Sequence, residues 1–331
     1  MKKLLLIFCF PLLCFSQQSF NFIHDGISRE YIYYSPNNLP VNAPLVFVAH
    51  GFTGSAMGIM GYSGMNTIAD QNGFAVCYPK GTVDNWGNNF WNVGYDFHFG
   101  VTVDDVGFLE SLALYLQSTY QLSTTNTFIT GMSNGGEICY SLAFDGSNIF
   151  KAYAPVAGSV FPNGTVNNLF NPNTPAPFFI THGDNDNVTL YEGDLNDQFW
   201  GPYLGVDTLV DFWVNENSLT SVNIDTFPDL NNDGNITISK KYYSPLTNNE
   251  VWLYVHQNDH SWGDSDIIIE QEIWDFFSLY INNSSEVLEY SNNKKLVSIY
   301  NLFGQKINKS NNTFLLFLYD DGSVEKKLLF K

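Results

Sequence analysis

The chain has 331 residues, enough for one large domain with an appendage or for two modest ones. Apolar residues make up 44% and aromatics 16%, ample for a sizeable core. Net charge is −19 with only 14 Lys and Arg, which argues against nucleic acid as a partner, because neutralising phosphates needs clustered cations.

Met1-Lys2-Lys3 followed by the apolar run Leu4 to Phe15 has the form of a secretory signal, with Ser16-Gln17-Gln18 as its cleavage neighbourhood. Residues 1–17 are therefore expected to be removed on export. The run is too short for a membrane span, and Leu13 is a poor fit to the small residue that lipid attachment at Cys14 would need. Removal of the signal leaves Cys77 and Cys139, both at core-facing positions. A disulfide and two buried thiols are both open.

Tyr31 to Tyr34 has the pattern of an early strand, and Pro44 to Ala49 that of a buried one. A helix over Met65 to Gln71 stops at Gly73, and Gly73 to Pro79 forms the next strand. Asp104 caps a helix that runs to about Tyr120. Thr127 to Thr130 is a short strand, and Gly136 to Ala143 a helix. Apolar segments follow at Ala152 to Val156, Phe178 to Ile180 and Val251 to Val255, before a closing amphipathic helix over Ile267 to Leu279. Strands alternating with helices predict an α/β domain whose mostly parallel sheet is covered by helices on both faces. Asn282-Asn283-Ser284-Ser285 is polar and turn-prone, and the pattern beyond it is all β. Residues 18–282 are thus expected to form the main domain and 283–331 a small β module, which holds seven of the 14 basic residues.

Between the strand at 127–130 and the helix at 136–143 stands Gly131-Met132-Ser133-Asn134-Gly135. Strand, Gly-x-Ser-x-Gly, helix is the context of a nucleophile elbow, in which a serine hydroxyl is held clear of the sheet on a sharp turn. A serine is a weak nucleophile until an imidazole takes its proton and a carboxylate orients that imidazole. Ligands gather at the carboxyl ends of strands in such sheets, so the partners belong in loops after strands. After Ile180 two carboxylates compete, Asp184 and Asp186. After Val255 two histidines compete, His256 and His260, of which His260 lies farther out in the loop and is better placed to reach a serine. An oxyanion hole would combine the backbone N–H of Asn134 with one from the loop Ala49-His50-Gly51-Phe52, most simply that of Phe52. Trp91 and Trp262 are candidates to line a substrate cleft, with core packing the competing role for each.

Several segments, in order over about residues 30–280, resemble secreted esterases of the polyhydroxybutyrate depolymerase and feruloyl esterase type, close to carbohydrate esterase family 1. They are His50-Gly51, Gly73 to Gly81, Trp91-Asn92-Val93-Gly94, Asp104 to Phe108, Thr130 to Gly136, Ala154 to Gly158, His182-Gly183 with Asp186 and Tyr191, and His260-Ser261-Trp262. The resemblance implies an α/β-hydrolase fold and a Ser133–His260–Asp186 triad, because the family's acid stands three after His-Gly and its histidine is followed one residue later by Trp. It implies no cofactor and no metal. The implied substrate is a feruloyl or acetyl ester on plant cell-wall polysaccharide, with polyhydroxybutyrate or another polyester as the alternative and a non-catalytic surface glycan binder as a remote one. The family's Gly-Gly before the histidine is here Asn258-Asp259, and its Pro before the acid loop's Tyr is Leu190. Both departures bear on substrate preference.

Asp229 to Asn235 mimics the start of a calcium loop, but position twelve would be Lys240, which cannot supply the bidentate carboxylate. A hairpin turn is expected there. Lys295 to Lys306 and Asp321 to Lys327 resemble recurrent elements of the sorting domain of type IX secretion substrates. That resemblance implies an export address read by the secretion machinery at the outer membrane, and hence an extracellular or cell-surface protein without a stable membrane span.

Overall fold

The structure is a computed structural model that describes residues 19–162, 175–282, 296–301, 306–307, 314–319 and 324–328. The expected signal at 1–17 lies outside the described residues, as do 283–285, 295, 302–305 and 321–323 of the expected C-terminal elements. The chain divides into two compact units between Asn282 and Asn283.

Among the described residues the first unit carries twelve strands, β1 (Ser19–His24), β2 (Ile27–Tyr34), β3 (Leu45–Ala49), β4 (Ala75–Pro79), β5 (Thr82–Val83), β6 (Asn89–Phe90), β7 (Thr127–Met132), β8 (Phe150–Val156), β9 (Phe178–Gly183), β10 (Ser221–Thr226), β11 (Thr237–Tyr243) and β12 (Val251–His256). Its helices are α1 (Ala56–Tyr62), α2 (Met65–Asn72), α3 (Asp105–Tyr120), α4 (Asn134–Phe144), α5 (Val206–Glu216) and α6 (Ile269–Ser278). Ten strands form one sheet in the order β1-β2-β4-β3-β7-β8-β9-β12-β11-β10, while β5 and β6 pair separately. The six central strands, β4 to β12 in that order, are parallel. Antiparallel pairs extend both edges.

Burial explains why the central strands read as continuous apolar runs. Every residue of β3 and β4 is buried, as expected where helices cover both faces. Side chains alternate between the two layers with the strand period of two. Leu45, Phe47 and Ala49 join α3, α4 and α5 in one core. Val46 and Val48 join α1, α2 and α6 in the other. The predicted helix boundaries follow local chemistry. The Asp104 side chain accepts from Gly107 N–H at 2.8 Å at the start of α3. Gly73 ends α2 at φ 75°, donating to Ala69 O, a backbone angle that glycine takes without a Cβ penalty.

Sequence pattern overlooked β1, α1 and α5. The β1–β2 hairpin turns on Asp25-Gly26, both at positive φ. Cys77 and Cys139 are buried free thiols, so the disulfide alternative is not realised. The Asp229–Asn235 segment lies in the loop that joins the antiparallel strands β10 and β11. Among the described residues no helix is long and apolar enough to cross a membrane.

The second unit holds β13 (Leu296–Asn301), β14 (Lys306–Ile307), β15 (Phe314–Tyr319) and β16 (Val324–Leu328). They form an antiparallel sheet in the order β14-β13-β15-β16. Ile299 and Phe317 are buried within it, with Tyr319 packed against them.

Candidate active site

Ser133 occupies the turn from β7 into α4 with φ 56° and ψ −123°. That conformation is rare for a residue with a Cβ, and strain of this kind concentrates at functional sites. It is held from both sides. The Ser133 N–H donates to Val156 O at 2.8 Å, and its carbonyl accepts from Gly136 and Glu137 N–H at 2.7 and 2.9 Å. The motif glycines are needed because three backbones converge here. A Cβ on Gly131 would collide with Gly135 O, and one on Gly135 with Ala49 O. A Cβ on Gly51 would come within 3.3 Å of the Ser133 Cβ, so the loop after β3 lies directly against the serine.

The neighbouring parallel strands β9 and β12 end side by side, with His256 opposite Gly183. Their loops bring His260 Nδ1 to 2.7 Å from Asp186 Oδ2. The Asp186 side chain is buried, and its Oδ1 accepts from Val188 and Thr189 N–H at 2.8 and 2.9 Å. His182 Nε2, also buried, lies 2.7 Å from Thr189 O and 3.3 Å from Asp186 Oδ2. Burial alone would raise the Asp186 pKa. The hydrogen bonds from His182, His260 and Thr189 outweigh it and hold the carboxyl well below the usual carboxylate range. The competing residues are placed elsewhere. Asp184 is exposed and bonds Asn185. His256 is buried at the strand end, where burial and then the neighbouring His182 lower its pKa to about 4.

The loop after β3 is braced by a chain of hydrogen bonds. His50 Nε2 accepts from Gly81 N–H at 3.0 Å, so the proton sits on Nδ1, which faces Gly51 O at 2.7 Å. Burial lowers the His50 pKa to about 4, and the ring stays neutral. Asn89 O accepts from Thr53 N–H at 2.8 Å, and the Asn89 amide donates to Gly54 O at 2.7 Å. The N–H groups of Phe52 and Asn134 make no hydrogen bond to a described residue.

Of the two roles open to Trp91, cleft lining and core packing, the structure shows the second, with the side chain fully buried. Its indole N–H donates to His50 O at 2.8 Å. Its backbone N–H and C=O pair with the Asn134 side chain at 2.7 and 3.1 Å. Trp91 thus ties the β3 loop to the first residue of α4, from behind. Trp262 is also buried, packed edge-on to Tyr62 at 6.2 Å, and its backbone N–H donates to the Tyr62 hydroxyl at 3.2 Å.

Sequence pattern missed Glu137, which stands one helical turn after Ser133. Buried beside the elbow, its Oε2 accepts from the Tyr95 hydroxyl at 2.5 Å and from Asn134 Nδ2 at 3.2 Å. The spacing of four was the available signal, since residues i and i+4 share a helix face. Burial raises the Glu137 pKa to about 7, although both hydrogen bonds oppose it. A carboxyl with a raised folded pKa favours the fold when protonated. Its contribution is complete below pH ~4 and is lost as pH rises to 7. Urea titrations of wild type and Glu137→Gln at pH 4 and 8 should differ in their pH dependence by roughly 3 kcal/mol, with wild type losing more on going to pH 8. Equal pH dependence would remove Glu137 as the buried titrating group.

Among the described residues, metal-ligating atoms come within 4.8 Å of one another in two groups, His24–Asp25–Asp104 and Asp229–Asp233–Asp266. Asp266, distant in sequence from the β10–β11 loop, accepts from Leu230 and Asn231 N–H through Oδ1 at 3.0 Å each.

Residues 29–168 match the family model described as Esterase PHB depolymerase. The chain is 29% identical to the bifunctional acetylxylan esterase/xylanase of Neocallimastix patriciarum over 184 residues, 54% of this chain and 25% of that protein. It is 23% identical to feruloyl esterase D of Neurospora crassa over 277 residues, 77% of this chain and 83% of that protein. The chain spans from about a quarter to about half of the length of the first two curated relatives it matches. Among solved structures it resembles the acetyl xylan esterase from Aspergillus awamori, with a TM-score of 0.56 and 15% identity, covering 80% of this chain and 99% of that one. The main unit has the α/β-hydrolase fold, a mixed and centrally parallel sheet with helices on both faces.

Proposed function

We propose that the chain is a serine carboxylic ester hydrolase acting on acyl esters of plant cell-wall polysaccharide, feruloyl or acetyl xylan. The Asp186–His260 pair at 2.7 Å carries this reading, in a chain whose β7–α4 turn holds Ser133 in the strained elbow geometry. In this mechanism His260 Nε2 takes the Ser133 proton as Oγ attacks the ester carbonyl, and returns it to the departing alcohol. Asp186 holds Nδ1–H and stabilises the imidazolium. The Phe52 and Asn134 N–H groups, without other described partners, receive the oxyanion of the tetrahedral intermediate. Water then hydrolyses the acyl-enzyme by the same steps in reverse. No cofactor takes part.

The polysaccharide assignment is supported by the named activities of the relatives, acetylxylan and feruloyl esterases. A polyester reading is favoured by the description of the family model. A panel of methyl ferulate, acetylated xylan and polyhydroxybutyrate tests it. The expected result is release of ferulate or acetate with at least tenfold higher kcat/KM than release of 3-hydroxybutyrate. The reverse order would replace polysaccharide by polyester, and inertness toward every ester would leave only a non-catalytic binder. In the same proposal residues 1–17 direct export and the unit beyond Asn282 is a type IX sorting module, read by that machinery. Deleting 283–331 should then keep an active enzyme within the cell envelope, and unimpaired release would count against the module's role.

A further inference from the structure

A cavity of about 530 Å³ lies beside the oxyanion loop, within the size range of small-molecule sites. Its walls include the β5–β6 hairpin and the segment around Phe97 to Val103. The link to the loop is physical. Gly81, which lines the cavity, donates its N–H to His50, and Asn89 of β6 bonds Thr53 and Gly54. The rings of Phe97 and His98 pack against Phe52 at 5.8 and 6.1 Å. Two aromatic side chains on this cavity face solvent, Trp86 at 66% exposure and Phe99 at 99%. Clustered aromatic exposure of this kind marks interaction sites in soluble proteins.

Trp86 is presented by an ordered frame. The buried side chain of Asp84 accepts from Trp86 N–H at 2.9 Å and Asn88 N–H at 2.8 Å, and lies in hydrogen-bond contact with His98 Nε2 at 3.2 Å. Phe97 stands edge-on to the Trp86 ring at 6.0 Å. The cationic side chains on the wall are matched by carboxylates, Arg29 by Asp105 at 2.6 Å and Lys80 by Glu30 at 3.5 Å. Burial lowers the His98 pKa and keeps that ring neutral, while the Asp84 carboxylate is turned inward onto the Trp86 and Asn88 N–H groups, its side chain 1% exposed. The lining thus presents no exposed unpaired charge, which favours an uncharged ligand. Asn21 and Asn85 add neutral hydrogen-bonding groups. Flat aromatic faces, neutral amides and no exposed unpaired charge match a pyranose sugar, whose rings carry apolar C–H faces edged by hydroxyls.

We propose that this cavity, with Trp86 and Phe99 at its face, is a subsite for the neutral sugar chain that bears the ester. The proposal rests on the polysaccharide function above, and its test needs no turnover. Binding of unesterified xylohexaose is measured by calorimetry on the Ser133→Ala protein, then on the same protein carrying Trp86→Ala and Phe99→Ala. The expected result is measurable binding that weakens at least tenfold in the double variant and is mostly retained with Trp86→Tyr alone, which keeps a ring. Both positions are exposed, and an unchanged thermal midpoint excludes misfolding as the cause. Equal affinity with and without the two rings overturns the proposal. So does absent xylohexaose binding, including the case in which only 3-hydroxybutyrate oligomers bind. A catalytically dead wild type that still binds xylohexaose through these rings would sink the esterase function and leave the subsite standing.

Discussion

Replacing Ser133 by Ala is expected to lower kcat for p-nitrophenyl acetate by roughly a million-fold, with a small residual rate over water from the oxyanion donors. The size follows from the covalent route. Without Oγ no acyl-enzyme forms, and His260 is left without its proton donor. The effect should fall on kcat, because Oγ bonds to the ester only as the carbonyl is attacked. Folding is not at stake. Serine and alanine face the same cost at φ 56°, and the backbone bonds that hold the turn remain. Burst-phase release of p-nitrophenol by wild type, absent in the variant, is the accompanying signature. Retention of a tenth of wild-type kcat by Ser133→Ala would assign the nucleophile to another residue.

Asp186→Asn should lower kcat by about ten-thousand-fold. The carboxylate accepts the hydrogen bond from His260 Nδ1–H, and it also accepts from two backbone N–H groups and faces His182. An amide can turn its oxygen toward only one of these sets. The Val188 and Thr189 N–H groups demand acceptors, which leaves the amide NH₂ facing His260 and favours the wrong imidazole tautomer. Because hydrogen bonds depress the folded pKa of Asp186, its stabilisation is present above pH ~4 and is lost only as pH falls through the depressed value. The acid limb of a pH–rate profile near neutrality is therefore not the titration of Asp186. Exposed Asp184 serves as the control, and Asp184→Asn should keep kcat within about twofold, as surface changes away from special features usually do. Comparable losses in the two variants would place the orienting carboxylate elsewhere.

The contrast between these two aspartates shows how legibility was distributed along the chain. Loop position after a strand narrowed the acid to Asp184 or Asp186 and the histidine to His256 or His260, and residue chemistry alone went little further. Burial separates them. Asp186 turns inward to three hydrogen-bonding partners, while Asp184 points to solvent, though the two are only two residues apart. The tryptophans were harder still. Trp91 and Trp262 stand beside recognisable motifs, yet both are packed inside. Trp86, with no motif around it, is the one held out into solvent. Glu137 went unnoticed because a lone Glu on a predicted helix is ordinarily a solvated residue, and only the packing of α4 against Tyr95 encloses it.

By itself the sequence determined the features whose causes are local. Apolar runs covered on both faces became the central strands, Asp104 and Gly73 set helix ends, and the glycines of 131–135 marked a turn that admits no side chain at those positions. Tertiary structure alone decided how Asp186 is buried against His260 and two backbone N–H groups, that the two cysteines stay apart as thiols, and which aromatics line a cavity rather than the core. Those outcomes depend on which strand ends become neighbours, as β9 and β12 do, and burial and hydrogen bonding across such neighbours have no counterpart in sequence spacing.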